Sequence, residues 1–276
     1  MREPFVIRLA RTTAQTGGLC VGLDPSAELL AAWGLPDAAR GVEMLSLATL
    51  DAIEGVAGVV KPQVAHFERH GAAGYAALER VIAHASAAGL LVIADAKRGD
   101  FDVTNDAYAA AWLADASPLA ADAVTVTCYL GTAALRGFFS LAAETGRAVF
   151  CVASSSNPEG RGLQTARTDD GRTVEEAVLA DLEAVNAALA SGPHSAAVAG
   201  AVVGAQREPA GLAALTGPVL VPGVGAQGGG ADEVRRLRAT MCHGAVTVSV
   251  SRGILAAGPD PAAIRAAAER YAAEIG

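Results

Sequence analysis

Aromatic side chains are scarce. Phe, Trp and Tyr together make 4% of 276 residues, although 52% of the chain is hydrophobic. The core must therefore come from Ala, Val, Leu, Ile and Gly. Basic charge is short as well: 21 Lys and Arg face 29 Asp and Glu, a formal charge of −8. The long-range field of such a chain repels polyanions. That argues against nucleic acid or an acidic membrane as partner, yet leaves room for a small anion held by a few local cations. No run of about 18 residues is free of polar interruption, so no membrane span is expected. The first residues carry Arg2, Glu3, Arg8 and Arg11 without the continuous apolar segment of a signal peptide, which implies a cytoplasmic protein. Cys20, Cys128, Cys151 and Cys242 show no CxxC or zinc spacing and read as free thiols of a reducing compartment. His66 and His70 are four apart but have no third ligand, and His84, His194 and His243 add no HExxH pattern. GxSxG, a Walker loop and a metal triad are all absent.

What is present is a rhythm. Short, nearly continuous apolar runs recur at Leu19–Leu23, Gly58–Pro62, Leu90–Ala96, Ala123–Thr127, Ala148–Ala153, Ala196–Val203, Val219–Pro222 and Ala245–Val250. They are rich in β-branched residues, as strands covered on both faces should be. Between them, Ala38–Glu54, Gly71–Ala88, Asp102–Ala114, Thr173–Leu189, Ala231–Arg238 and Pro261–Ala273 read as Ala-rich amphipathic helices. Strand then helix, eight times over, predicts parallel βαβ units. In a chain of this length they fit a single α/β domain over 1–276, a closed (β/α)8 TIM barrel, better than an open doubly wound sheet. An N-terminal helix over about 3–16 precedes the first strand. No domain linker is visible; the polar stretch 154–172 (SSSNPEGRGLQTARTDDGR) is expected to be a mobile loop after strand 5.

Barrel chemistry sits where strands end. Strand 1 ends in Asp24, strand 2 carries Lys61, and strand 3 gives Asp95, Lys97 and Asp100 in DAKRGD. Asp95 and Lys97 are two apart, so a regular strand turns both toward the barrel axis. An inward Asp–Lys pair is costly unless partnered, and Asp24 and Lys61 on neighbouring strands make a working charge cluster of it. Strand 7 runs into PGVGAQGGG, whose glycines let backbone N–H groups approach an anion. Strand 8 ends in SRG, an Arg fork beside a helix start.

Taken together these residues resemble one family. Asp95-x-Lys97-x-x-Asp100 with Thr104 four further on looks like the DxKxxDxxxT signature of orotidine 5′-phosphate decarboxylases. Asp24 in VGLDP, Lys61 in VVKP, PGVGAQGG and SRGI match that family's other strand ends. SSSNP and the chain length resemble its longer branch, common in actinobacteria. The resemblance spans all eight strands. It implies conversion of orotidine 5′-phosphate to UMP and CO2, the last step of de novo pyrimidine synthesis, without metal or cofactor. It implies that Lys97 protonates C6 and that Asp95 lies against the substrate carboxylate. Asp24 and Lys61 would hold the ribose, Ser156 would meet the pyrimidine, and Gln227 and Arg252 would hold the phosphate together with backbone N–H groups near Gly225 and Gly253. Asp100 and Thr104 would reach into the neighbouring site of a homodimer. A related Mg²⁺-dependent sugar-phosphate decarboxylase or aldolase is the alternative, but it needs a Glu ligand on strand 2, where this chain has Lys61. A non-catalytic phosphate-binding barrel is the other, and it would not require the full Asp–Lys–Asp array.

Overall fold

The computed structural model describes residues 2–190, 196–225, 229–241 and 245–276. Eight strands form the barrel: β1 (Leu19–Leu23), β2 (Val59–Pro62), β3 (Leu91–Arg98), β4 (Ala123–Val126), β5 (Ala148–Ser154), β6 (Ala199–Val203), β7 (Val219–Val221) and β8 (Val246–Val250). They run parallel in sequence order, and β8 closes on β1 through Leu19↔Val248 and Val21↔Val250. All eight expected strands are present, as are the six expected helices, with no helix end shifted by more than two residues. Helices Ala27–Ala32, Val64–Glu68, Arg136–Thr145 and Arg161–Gln164 add to them.

One expectation changes. The strand–helix alternation fails between β6 and β7, where residues 204–218 form only a 3-10 turn at Leu212–Ala214. Pro209, Gly211, Gly217 and Pro218 break any helix in that segment. The stretch 154–172 is a long connection after β5 that carries short elements of its own. It holds the 3-10 turn Pro158–Gly160, the helix Arg161–Gln164 and a bridge between Arg167 and Thr173.

One end of the barrel is sealed. The helix Phe5–Thr16 buries Phe5 and Leu9 against inward side chains that include Val59, Leu91, Ile93 and Phe150. Phe5 meets Phe150 edge to face at 6.0 Å between centroids. Arg2 and Arg8 tie this plug to the buried carboxylate of Asp122, each at 2.5 Å. Asp122 also accepts the Val92 N–H at 2.8 Å. With that end closed by apolar packing, the strand C-termini form the open mouth. No helix among the described residues is long and apolar enough to cross a membrane. Cys20, Cys128 and Cys151 are free thiols, as expected; Cys242 lies outside the described residues.

Candidate active site

β3 does not continue as a regular strand to its charged end. Ala94 pairs with Val124 and Arg98 with Val126, so β3 carries extra residues against β4. Lys97 occupies the left-handed region at φ 46°, a conformation that costs a non-glycine residue of order 1–3 kcal/mol and clusters at functional sites. The expected same-face pairing of Asp95 and Lys97 is thus achieved by a bulge, not by strand alternation. The Lys97 N–H leaves the ladder and donates to Thr125 Oγ1 at 3.0 Å. Its ammonium turns back to Asp95.

Asp95 is the hub. Oδ1 accepts from Lys97 Nζ at 2.6 Å and from the Thr125 hydroxyl at 2.8 Å. Oδ2 accepts from Lys61 Nζ at 2.8 Å and Gln63 Nε2 at 3.0 Å. Four donors on one buried carboxylate satisfy it fully, which is what makes a buried ion tolerable. Burial alone would raise the Asp95 pKa, but the charges of Lys61 and Lys97 more than reverse this and hold it well below the usual carboxylate range. Burial likewise pulls Lys61 down, and Asp95 and Asp24 override it, leaving Lys61 above an ordinary lysine. Beneath them burial pushes the Cys20 thiol up to about 12, so it stays protonated.

These groups line a cavity of about 320 Å³ at the barrel mouth. Lys61, Asp95 and Lys97 occupy one wall, with Asp24 beside them; Gly223, Val224, Arg252 and Gly253 form another, and Ser155, Ser156 and Asn157 close a third. Two buried oxygens of residues that line this space, Asp24 Oδ1 and Ser251 Oγ, have no hydrogen-bond partner among the described residues. A buried acceptor without a donor is costly, so the site is built to receive hydroxyl or N–H groups from a ligand.

The remaining expected residues separate. Gly253 lines the cavity, whereas Gly225 is not among its lining residues; its φ is 79° and its N–H donates to Gly229 O at 2.8 Å. A side chain at either glycine would strike the Tyr271 hydroxyl, at 2.8 Å from position 225 and 2.2 Å from position 253. Gln227 lies outside the described residues. Asp100 and Thr104 do not line their own chain's cavity. Asp100 is held by its loop: its N–H donates to Asn105 Oδ1 at 2.9 Å, and its carboxylate accepts the Phe101 N–H at 2.9 Å. Around it Phe101, Val103, Tyr129 and Leu130 form an exposed apolar patch, between 54% and 79% accessible.

Of the three serines, Ser154 is structural. Its buried hydroxyl donates to Glu175 Oε2 at 2.6 Å and accepts from Arg207 Nε at 2.9 Å, and Arg207 pairs with Glu175 at 2.7 Å. Sequence reasoning did not find Thr125, Gln63, Glu175 or Arg207. Thr125 had a signal, a hydroxyl at an inward position of an apolar strand; the others had none.

A closed parallel barrel whose mouth fixes alternating lysines and carboxylates around a polar cavity defines a (β/α)8-barrel enzyme. Residues 17–268 match the orotidine 5′-phosphate decarboxylase / HUMPS family, and the chain belongs to that family. It is 47% identical to the orotidine 5′-phosphate decarboxylase of Salinispora arenicola, covering 99% of this chain and 97% of that protein. Identity to the Streptomyces coelicolor orotidine 5′-phosphate decarboxylase is 44%, with 99% and 97% covered. A solved structure from Streptomyces avermitilis superposes with TM-score 0.89 at 45% identity, covering 99% of this chain and 95% of that one. The Leishmania donovani OMP decarboxylase gives TM-score 0.76 at 32% identity, covering 99% and 97%.

Proposed function

We propose that this mouth decarboxylates orotidine 5′-phosphate to UMP with amino-acid side chains alone, the cavity of Lys61, Asp95, Lys97 and Arg252 being the catalytic centre. The phosphate lies against Arg252 and the N–H groups around Gly253, with Gln227 completing the grip. Ribose hydroxyls fill the unpartnered Asp24 carboxylate oxygen and meet Lys61. The pyrimidine faces Ser156. The substrate carboxylate then sits against Asp95, where two like charges repel.

In the reaction the bond from C6 to the carboxylate breaks, its electron pair stays on C6, and neutral CO2 leaves. The carbanion has no ring carbonyl to delocalise it well. Lys97 supplies a fixed positive charge at that atom and then gives it a proton. The Lys97 side chain is 47% exposed, so solvent can return the proton. Binding energy from the distant phosphate draws the charged array into place, so it acts on kcat as well as KM.

The reading rests chiefly on one observation: Asp95, bracketed by two lysines within 2.8 Å, shares a single cavity with Arg252 and Gly253. The donor set also disfavours Mg²⁺ chemistry, because both Asp95 oxygens already accept from cations and Lys61 holds the strand-2 position. The protein acts as a cytoplasmic homodimer in which Asp100 and Thr104 of one subunit reach the other's site, and the exposed patch beside Asp100 is the surface such a dimer would cover. Loss of orotidylate absorbance in chelator-treated buffer tests the reaction. Turnover without added metal is the expected result, and dependence on Mg²⁺ would refute it.

A further inference from the structure

The helix Arg161–Gln164 lies in the stretch after β5, and its last residue returns to the cavity wall. Gln164 Oε1 accepts the Ser155 N–H at 3.0 Å, while Gln164 Nε2 donates to Ser155 Oγ at 2.8 Å. The orientation of the amide is not arbitrary. A backbone N–H can only donate, so the carbonyl end must face it, and the NH₂ end is left for the hydroxyl. Ser155 Oγ is therefore an acceptor toward Gln164, and its own proton must go elsewhere. Among the described residues that proton has no acceptor, and Ser155 lines the cavity. The clasp is tightly packed: a Cβ at Gly160 would come within 2.7 Å of Ser155 Oγ and 3.0 Å of Gln164 Nε2.

We propose that Gln164 is a positioning residue that orients the Ser155 hydroxyl as a hydrogen-bond donor to a carbonyl oxygen of the pyrimidine, a contact separate from that of Ser156. The proposal rests on the reading of the cavity as the orotidylate site. A hydroxyl without this clasp can turn either way and offers a lone pair as readily as a proton. With it, the wall discriminates for an acceptor edge, which a uracil carbonyl presents and an amino group does not.

The test compares UMP with ribose 5-phosphate, which keeps the phosphate and sugar but lacks the base, by calorimetric titration. Ser155→Ala removes the donor. Gln164→Glu preserves the shape but replaces the NH₂ with a second acceptor, which draws the hydroxyl proton away from the cavity. Each variant should weaken UMP by roughly threefold to tenfold, the effect of one neutral hydrogen bond, and leave ribose 5-phosphate unchanged. The double variant should be no weaker than either single one, because both remove the same bond. Unchanged UMP affinity in Ser155→Ala overturns the proposal. So does equal weakening of both ligands in Gln164→Glu, which would mark a collapsed wall or simple charge repulsion. Arg252→Ala separates the two levels. If it weakens both ligands while Ser155→Ala changes neither, the clasp falls and the cavity reading stands. If it changes neither ligand, the cavity reading falls and the proposal with it.

Discussion

Lys97 gives its ammonium to Asp95 Oδ1 at 2.6 Å across a chain segment that has left strand geometry, with Lys97 itself in the left-handed region. The bulge aims the ammonium into the cavity instead of along the strand, and Thr125 fixes it from both sides by holding the Lys97 N–H and the Asp95 carboxylate. Strain held at a charged site residue and over-determined by its neighbours is the signature of preorganisation.

Lys97→Ala is therefore expected to lower kcat by at least about 10³-fold, since proton donation and charge stabilisation are lost together. UMP affinity should remain measurable, because the phosphate and ribose contacts are untouched. Steady-state kinetics with a parallel UMP titration checks this. Near-wild-type turnover would remove Lys97 from the chemistry.

Lys61 acts on stability as well. Its side chain is 7% exposed and that of Asp95 8%, so this ion pair is buried. Lys61→Met should cost about 3 kcal/mol, because it leaves a buried carboxylate with one cation fewer. Asp95→Asn should recover part of that loss in the double variant, since the charge left unpaired is then gone. Thermal unfolding of the two single variants and the double reads the coupling; strict additivity would mean the two side chains do not share an interaction.

Much of this was legible from composition and spacing. The eight apolar runs were readable because both faces of each strand are covered, so few polar residues interrupt them. The helix Arg136–Thr145 was not picked out, although Phe138, Phe139, Ala142 and Ala143 keep helical spacing on its buried face. The charge array was readable as a set of residues but not as a geometry. A period of two placed Asp95 and Lys97 together for the wrong reason, and the bulge that does so depends on the register between β3 and β4. Gln63 reaches Asp95 through an isolated bridge between strand ends, and Gln164 reaches Ser155 only once the stretch after β5 has folded back. Contacts of this kind are set by tertiary register and leave no local trace.

The pH response of the array follows from its pairings. The Asp95 pKa is depressed in the fold, so its stabilisation is present above the unfolded value, about 3.9, and is lost as pH falls below that. The Lys61 pKa is raised, so its stabilisation is full below about 10.4 and is lost only as pH rises above that. Neither titrates between about pH 5 and pH 9. A fall in kcat/KM near pH 6 should then report the second ionisation of the substrate phosphate, at about 6, with kcat nearly flat on the acid side. A pH-rate profile at saturating and limiting substrate separates the two. An acid limb in kcat itself near pH 6 would show that a group of the enzyme–substrate complex, not the free ligand, is being protonated.

Asp100 and Thr104 lie outside their own cavity, next to the apolar patch of Phe101, Val103, Tyr129 and Leu130. If they serve the neighbouring subunit, two inactive proteins should repair each other. Lys97→Ala and Asp100→Ala homodimers each have every site damaged. In a hybrid dimer one site carries both substitutions and the other carries neither. Mixing equal amounts, with dissociation and reassembly, puts half of the dimers in the hybrid form with one intact site in each, so roughly one quarter of wild-type activity should return. If Asp100 acted within its own chain, every hybrid site would keep one substitution and mixing would restore nothing. The same mixture sized by light scattering, with Phe101→Asp as a variant that charges the patch, shows whether activity and dimer are lost together. A monomer that retained full turnover would leave Asp100 without a part in catalysis across subunits.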